Sequence, residues 1–224
     1  MRYLVALMAF TPLMAAEPGC VTPAGTPCYS VRTAVTTWTL FREGLGDFRR
    51  DVSERFFAVR ADGSTIAMMG EGEAGPPPPK TLWLASLGQE VAVDEVTRLV
   101  RYGAPFAPRR EPEYAGDQSC QQAAQTVRRG VPMQLAGVSN RLGVRVVEWQ
   151  GEVAVGGILR HVRAELAPSL DCACLYSRET ERAAGWLPYL IRTRQATWLR
   201  LGAPEASLFE IPAGFRAMGT RASR

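Results

Sequence analysis

Along most of this chain apolar and polar residues alternate with a period of two, the pattern of half-buried strands, and only one short stretch favours a helix. The β-branched and aromatic run Val35-Thr36-Thr37-Trp38-Thr39-Leu40-Phe41, within Val31 to Phe41, predicts a strand, and Arg42 to Asp47 turns the chain. The clearest hairpin follows. Phe48 to Val59 runs out, Ala61-Asp62-Gly63-Ser64 carries the Asp-Gly turn signal, and Thr65 to Met69 runs back. Gly70 to Lys80 holds Pro76-Pro77-Pro78-Pro79, which fix φ and remove backbone donors, so it reads as a projecting extended connector, with a docking peptide as the competing reading. Thr81 to Ala85 resumes strand composition, Leu87-Gly88-Gln89 turns, and Glu90 to Asp94 forms a short strand.

Ala104 to Gly116, rich in Pro, Arg and Glu, reads as a loop, and Ser119 to Arg128 as a short helix capped by Ser119 and stopped by Gly130. Strands then return at Met133 to Ala136, Val144 to Gln150, Gly151 to Leu166 with a break near Gly156-Gly157, Leu170 to Tyr176, and Tyr189 to Leu201; Arg178 to Leu187 carries no clear pattern. Many short strands at even spacing predict a mainly β fold: an antiparallel sheet that curls, one face on the core, with one or two short helices.

The first residues have a different pattern. Arg2, the apolar run Tyr3 to Phe10, and Thr11-Pro12-Leu13-Met14-Ala15-Ala16 read as a signal peptide over residues 1–16, cleaved after Ala15 or Ala16. The run is too short to span a bilayer, and no second span follows, so the mature chain is expected to be periplasmic or secreted, without a transmembrane segment. Cys20 is not read as a lipid anchor, because Glu17-Pro18-Gly19 puts a charge and a proline where small residues are needed. Residues 17–30 form a Pro/Gly-rich lead-in, 31–218 one curved-sheet domain and 219–224 a tail.

An exported chain changes how the five cysteines read, since an oxidising compartment pairs them and an odd count leaves one over. Cys20 and Cys28 bracket a turn-rich loop that a disulfide closes easily. Cys120 then pairs across the fold with Cys172 or Cys174. Cys172 is the choice on position: it follows Pro168-Ser169-Leu170-Asp171 at a strand start, whereas Cys174 lies deeper in the strand and stays free.

Charge alters the picture little. Lys+Arg 26 against Asp+Glu 22 gives +4. Nearly all the basic residues are arginines alternating with apolar neighbours along strands, which argues for solvated strand faces and against a nucleic-acid footprint. His161, the single histidine, shows no positioned partner, and the expected catalytic set is none. A zinc site from His161, Cys120, Cys172 and Cys174 lacks Cys-x-x-Cys spacing and competes with disulfides, so neither metal nor cofactor is expected. The carboxylates Asp94-Glu95 and Glu179 with Glu181 form no recognisable pair, and Gly70-Glu71-Gly72-Glu73-Ala74-Gly75 places acids where phosphate would sit. Five tryptophans, including Trp186, either pack in the core or line an apolar cavity; Trp38, Trp83, Trp149 and Trp198 are the ligand-binding candidates.

The closing segment, Gly202-Ala203-Pro204-Glu205-Ala206-Ser207-Leu208-Phe209-Glu210-Ile211-Pro212-Ala213-Gly214-Phe215, resembles that of bacterial envelope proteins with a fold like the periplasmic lipoprotein carrier LolA. Leu142 to Trp149 and Ala167 to Cys172 also look similar to strands of that group. The resemblance implies an incomplete barrel: a strongly curved antiparallel sheet wrapped around short helices, its edge plugged by the Leu208-Phe209 pair, around a hollow that in the carrier receives acyl chains. The expected function is therefore a non-enzymatic binding protein holding an apolar or lipid-like ligand on its concave sheet face. The alternative is a structural or protein-interaction module of the envelope, with an envelope protein partner and a filled core.

Overall fold

The computed structural model describes residues 19–40, 48–70, 79–104, 120–127, 130–183, 188–219 and 221. Residues 1–16, read as a signal peptide, the turn after Leu40, Pro76 to Pro78 of the proline run, the Ser119 cap and Trp186 lie outside them. The strands are β1 (Tyr29–Leu40), β2 (Phe48–Val59), β3 (Thr65–Met69), β4 (Lys80–Leu84), β5 (Gln89–Asp94), β6 (Leu99–Tyr102), β7 (Met133–Arg141), β8 (Val144–Val155), β9 (Ile158–Ala167), β10 (Ala173–Ala183), β11 (Pro188–Leu201) and β12 (Arg216–Met218). One helix, α1 (Gln121–Val127), is present among the described residues, with 3-10 turns at Pro168–Leu170 and Ala206–Phe209.

All twelve strands join one curved sheet, ordered β12-β6-β5-β4-β3-β2-β1-β11-β10-β9-β8-β7, open at β12 and β7. Every pair is antiparallel except β12 with β6, where Arg216–Met218 lies parallel to Leu99–Arg101. The sequence pattern missed both members of that pair, because strands of four and three residues are too short to show a period. Further boundaries differ, β1 beginning at Tyr29 ahead of Val31 and β7 running past Ala136 to Arg141. Leu170 lies in a 3-10 turn, β8 runs unbroken through Gly151, and β10 continues past Arg178 to Ala183. In β10 the charged run Arg178 to Arg182 hides the strand. The ladder satisfies these charges across strands: Arg160 Nε donates to Glu181 Oε1 at 2.5 Å and the Tyr189 hydroxyl to Glu181 Oε2 at 2.9 Å.

The turns follow local chemistry. Gly156 and Gly157, both at positive φ, form the two-residue loop between the paired Val155 and Ile158, where side chains would strain. In the β2–β3 turn Asp62 accepts from Arg60 Nε (3.1 Å) and from the Ser64 amide (2.9 Å), and these bonds, Arg60 first, hold its carboxyl down at about 2. A carboxyl pKa lowered on folding stabilises above its unfolded value of 3.8 and loses that contribution as pH falls toward 2. Asp62→Asn should therefore flatten the acid limb of a stability-versus-pH curve between about pH 4 and 2; an unchanged limb would contradict this role.

Because paired residues share a face, the register shows where the cores lie. Ala58 pairs with Ile66, Ile66 with Leu82, and Leu82 with Val91, and all are buried beneath Phe209 from the 3-10 turn after β11. The even-numbered residues of β1 share this face, since Ser30 pairs with Ala58. On the β7–β9 half the buried face is the other one: Val147, Trp149, Val162, Ala164 and Leu166 pack against Ala124 of α1 and the Cys120–Cys172 disulfide. A third cluster, with Tyr29, Val31, Leu170, Leu175 and Ala196, fills the region where β10 leaves β11. The sheet is thus covered on opposite faces in its two halves.

Gly151 is what lets the chain before β7 cross under β8. A Cβ there would strike the carbonyl oxygen of Pro132 and lie 2.9 Å from Val131 Cγ1. Gly151→Ala should cost about 1–3 kcal/mol in urea unfolding, since backbone has to shift; a change within 0.5 kcal/mol, about the scatter of neutral surface variants, would show that the segment yields freely.

Candidate functional site

The face covered by α1 carries a hollow of about 560 Å³ between the helix and strands β1, β2, β9, β10 and β11, within the ~300–1,000 Å³ typical of small-ligand sites. Its apolar side is Val35 of β1, Val162 and Leu166 of β9, and Ala123 and Val127 of α1. Strand parity sets this floor. Val35 pairs with Ser53 on one side and Arg194 on the other, and Thr37 with Arg192, so odd positions of β1 and their partners face the helix.

The remaining wall is polar, unlike the mainly apolar lining expected for the hollow. Arg55, Arg192 and Arg194 share this face with a single lining carboxylate, Glu179, whose Oε2 lies 4.0 Å from Arg192. Arg55 and Arg192 are exposed, whereas Arg194 is half-buried, and its Nε is buried with no hydrogen-bond partner. Several other strand arginines meet carboxylates within the protein. On the opposite face Arg141 and Arg163 both bond buried Glu165, Arg163 also reaches Glu148 at 3.0 Å, and the two guanidiniums lie 4.7 and 6.0 Å from the Tyr176 ring.

Cys20 is joined to Cys28, which ties the lead-in loop to the start of β1, and Cys120 to Cys172, which anchors α1. Cys174 is free and lines the hollow beside Cys172. Burial pushes its thiol above the ordinary value against the opposing pull of Arg194, and its Sγ donates to the Tyr176 carbonyl at 3.3 Å. At neutral pH it is a thiol, so iodoacetamide should label it slowly in the native protein and rapidly after unfolding, as read by intact mass; fast native labelling would contradict its burial. The Tyr29 phenol, near Arg194, is also held neutral, its pKa raised by burial first and by Asp171 second.

None of the four tryptophans singled out as ligand candidates lines the hollow, and the structure does not bring them together. Trp149 is buried in the core under α1, and Trp83 is half-buried on β4. Trp38 and Trp198 share the opposite face, 39% and 40% exposed, with Arg50 and Arg32 over their rings at 5.4 and 5.7 Å. Parity is the reason: Trp38 neighbours Thr37, which faces the hollow, and so must point away. His161 likewise shares its face with Glu152 and Thr180, away from Cys174, and Cys120 and Cys172 are bonded to each other. Among the described residues no three metal-ligating side chains converge, and no helix is long and apolar enough to cross a membrane. The residues the sequence reading missed are the hollow's arginines.

No family model matches the chain, and no curated protein matches it. Among solved structures it is similar to MucB, from a crystal structure of MucB in complex with MucA(peri), at 13% identity over 87% of this chain and 57% of that one, with a TM-score of 0.42. It is also similar to a DUF1329 family protein from Desulfovibrio piger ATCC 29098, at 9% identity over 83% of this chain and 90% of that one, TM-score 0.29. A third similar structure is a putative outer membrane lipoprotein-sorting protein domain from Vibrio parahaemolyticus, at 8% identity, covering 78% of this chain and 85% of that one, TM-score 0.19.

Proposed function

We propose that this chain is a periplasmic or secreted, non-enzymatic binding protein that holds a lipid-like ligand in the hollow under α1. The observation that carries the reading is the hollow itself: a space of about 560 Å³ with an apolar side under the helix and an open polar rim. A filled core would leave no such space. The leader-like N-terminus and the two disulfides support an oxidising compartment outside the cytoplasm, and the LolA-like closing segment supports a carrier over a catalyst. Native mass spectrometry of protein purified from its own envelope tests this. The expected result is an added mass that organic solvent removes, and that Val35→Trp, which fills the floor of the hollow, abolishes while the protein stays folded. An unloaded mass that also takes up no added amphiphile overturns it.

One observation favours a second reading, an envelope protein-interaction module. Trp38, Trp198 and Val52 are all exposed on the face away from the hollow, and exposed aromatics of this kind mark contact surfaces. Retention of a partner protein by the wild type but not by Trp38→Ala or Trp198→Ala, with no bound lipid, would select it.

A further inference from the structure

The placement of two arginines on the floor of the hollow narrows the ligand's chemistry. Arg194 of β11 pairs with Val35 and Arg55 of β2 pairs with Thr33, so the two flank β1 on its helix-facing side, about 10 Å apart across the strands and roughly 7 Å along them. Arg192 has Glu179 beside it, but no ion pair or hydrogen bond within the described residues holds Arg55 or the buried Arg194 Nε. A buried guanidinium nitrogen without an acceptor is costly, and elsewhere in this sheet arginines meet carboxylates: Arg160 with Glu181, Arg141 and Arg163 with Glu165. Tyr29 and Cys174, both near Arg194, are kept protonated by burial and carry no countercharge for it, and the carboxylate on this wall, Glu179, lies beside Arg192.

Resting on the reading of the hollow as a lipid-like ligand site, we propose that it selects an amphiphile with an anionic head, an alkyl carboxylate or alkyl phosphate. Arg194 receives the head from inside and Arg55 from the rim, while the chain lies along Val35, Val162, Leu166 and Val127. Two guanidiniums converging on one oxyanion supply charge-assisted hydrogen bonds, which a neutral alcohol of equal chain length cannot accept with comparable strength.

Titration calorimetry on the full purified chain, below the aggregation limit of each probe, compares dodecanoate, dodecyl phosphate, 1-dodecanol and inorganic phosphate. Both alkyl anions should bind about tenfold or more tightly than dodecanol, and Arg194→Met should remove most of that difference while leaving dodecanol affinity unchanged. Inorganic phosphate should bind more weakly than dodecyl phosphate, which assigns the site to a lipid headgroup. If Arg194→Met does not fold, the exposed Arg55→Gln carries the same test, with a several-fold loss confined to the anions. Arg32→Gln, on the opposite face, is the control and should change nothing. Equal affinity for dodecanoate and dodecanol overturns anion selection and leaves the lipid site standing. Inorganic phosphate binding as tightly as dodecyl phosphate keeps the anion site but overturns the lipid reading, and no binding of any probe overturns both.

Discussion

Phe209→Ala should destabilise the protein by about 3–5 kcal/mol, the usual cost of deleting a buried aromatic. Phe209 is 4% exposed and packs with Ala58, Ile66, Leu82, Val91, Val93 and Val100, which come from five adjacent strands. Leu208, Ile211 and Phe215 of the same closing segment pack around it, but of these four only Phe209 is fully buried there. The chain leaves β11 near the centre of the sheet, crosses in the 3-10 turn Ala206–Phe209, and ends in β12 at the edge, held there by a three-residue parallel pairing with β6. Without the phenyl ring the crossing loses its main anchor, and the Arg60 guanidinium, 4.9 Å from the ring centre, loses its platform. Amide exchange should then show β12 and β6 opening at lower free energy than β2 and β1. Half-buried Leu208 is the comparison, and Leu208→Ala should cost clearly less. A loss below about 1 kcal/mol for Phe209→Ala, with an unchanged urea m-value, would mean that the other residues around the crossing seal the face without it.

In the closing segment the resemblance to the LolA-like group implies a turn at Pro204-Glu205 and a Leu208-Phe209 plug, and in the structure Phe209 is buried while Leu208 is half-buried. The Asp62-Gly63 and Gly156-Gly157 turns carry their own chemistry, so the hairpins β2–β3 and β8–β9 can be read from a few residues. The parallel β6–β12 pair cannot. Its members are distant in sequence and too short for a period, so only the crossing that brings them together makes them strands.

The hollow was harder to see for a related reason. Alternation shows that Arg192 and Arg194 share a face of β11 and that Arg55 lies on a particular face of β2, but not which face receives the helix. Arginines alternating along a strand therefore read as solvated. Size and parity point different ways for the tryptophans: Trp38 and Trp198 suggest a cavity by bulk, while their parity places them on the face away from the hollow. What assigns the faces is α1, and α1 is placed by a disulfide whose partners lie 52 residues apart.

That dependence makes the Cys120–Cys172 disulfide the second strong lever. A double Cys120→Ala, Cys172→Ala variant should lose roughly 4 kcal/mol, the loop-closure value for a separation of 52 residues, less any strain in the native bond. Cys174→Ala should change stability by no more than about 1 kcal/mol, because that thiol closes no loop. The larger cost has a local consequence as well. A seven-residue helix is marginal on its own, and α1 has no acidic residue in its first turn or basic residue in its last to offset its dipole. Ala124 is its one buried residue, so the disulfide at its N-terminal end is its strongest tether. Cutting it should free the roof of the hollow before the sheet unfolds. In the double variant, amides of α1 should exchange as in an unfolded chain while those of β9 and β10 stay protected, and bound amphiphile should be lost under the same conditions. If ligand is retained and α1 stays protected without the bond, packing of Ala123, Ala124 and Val127 is sufficient to hold the helix, and the disulfide acts only on the unfolded chain.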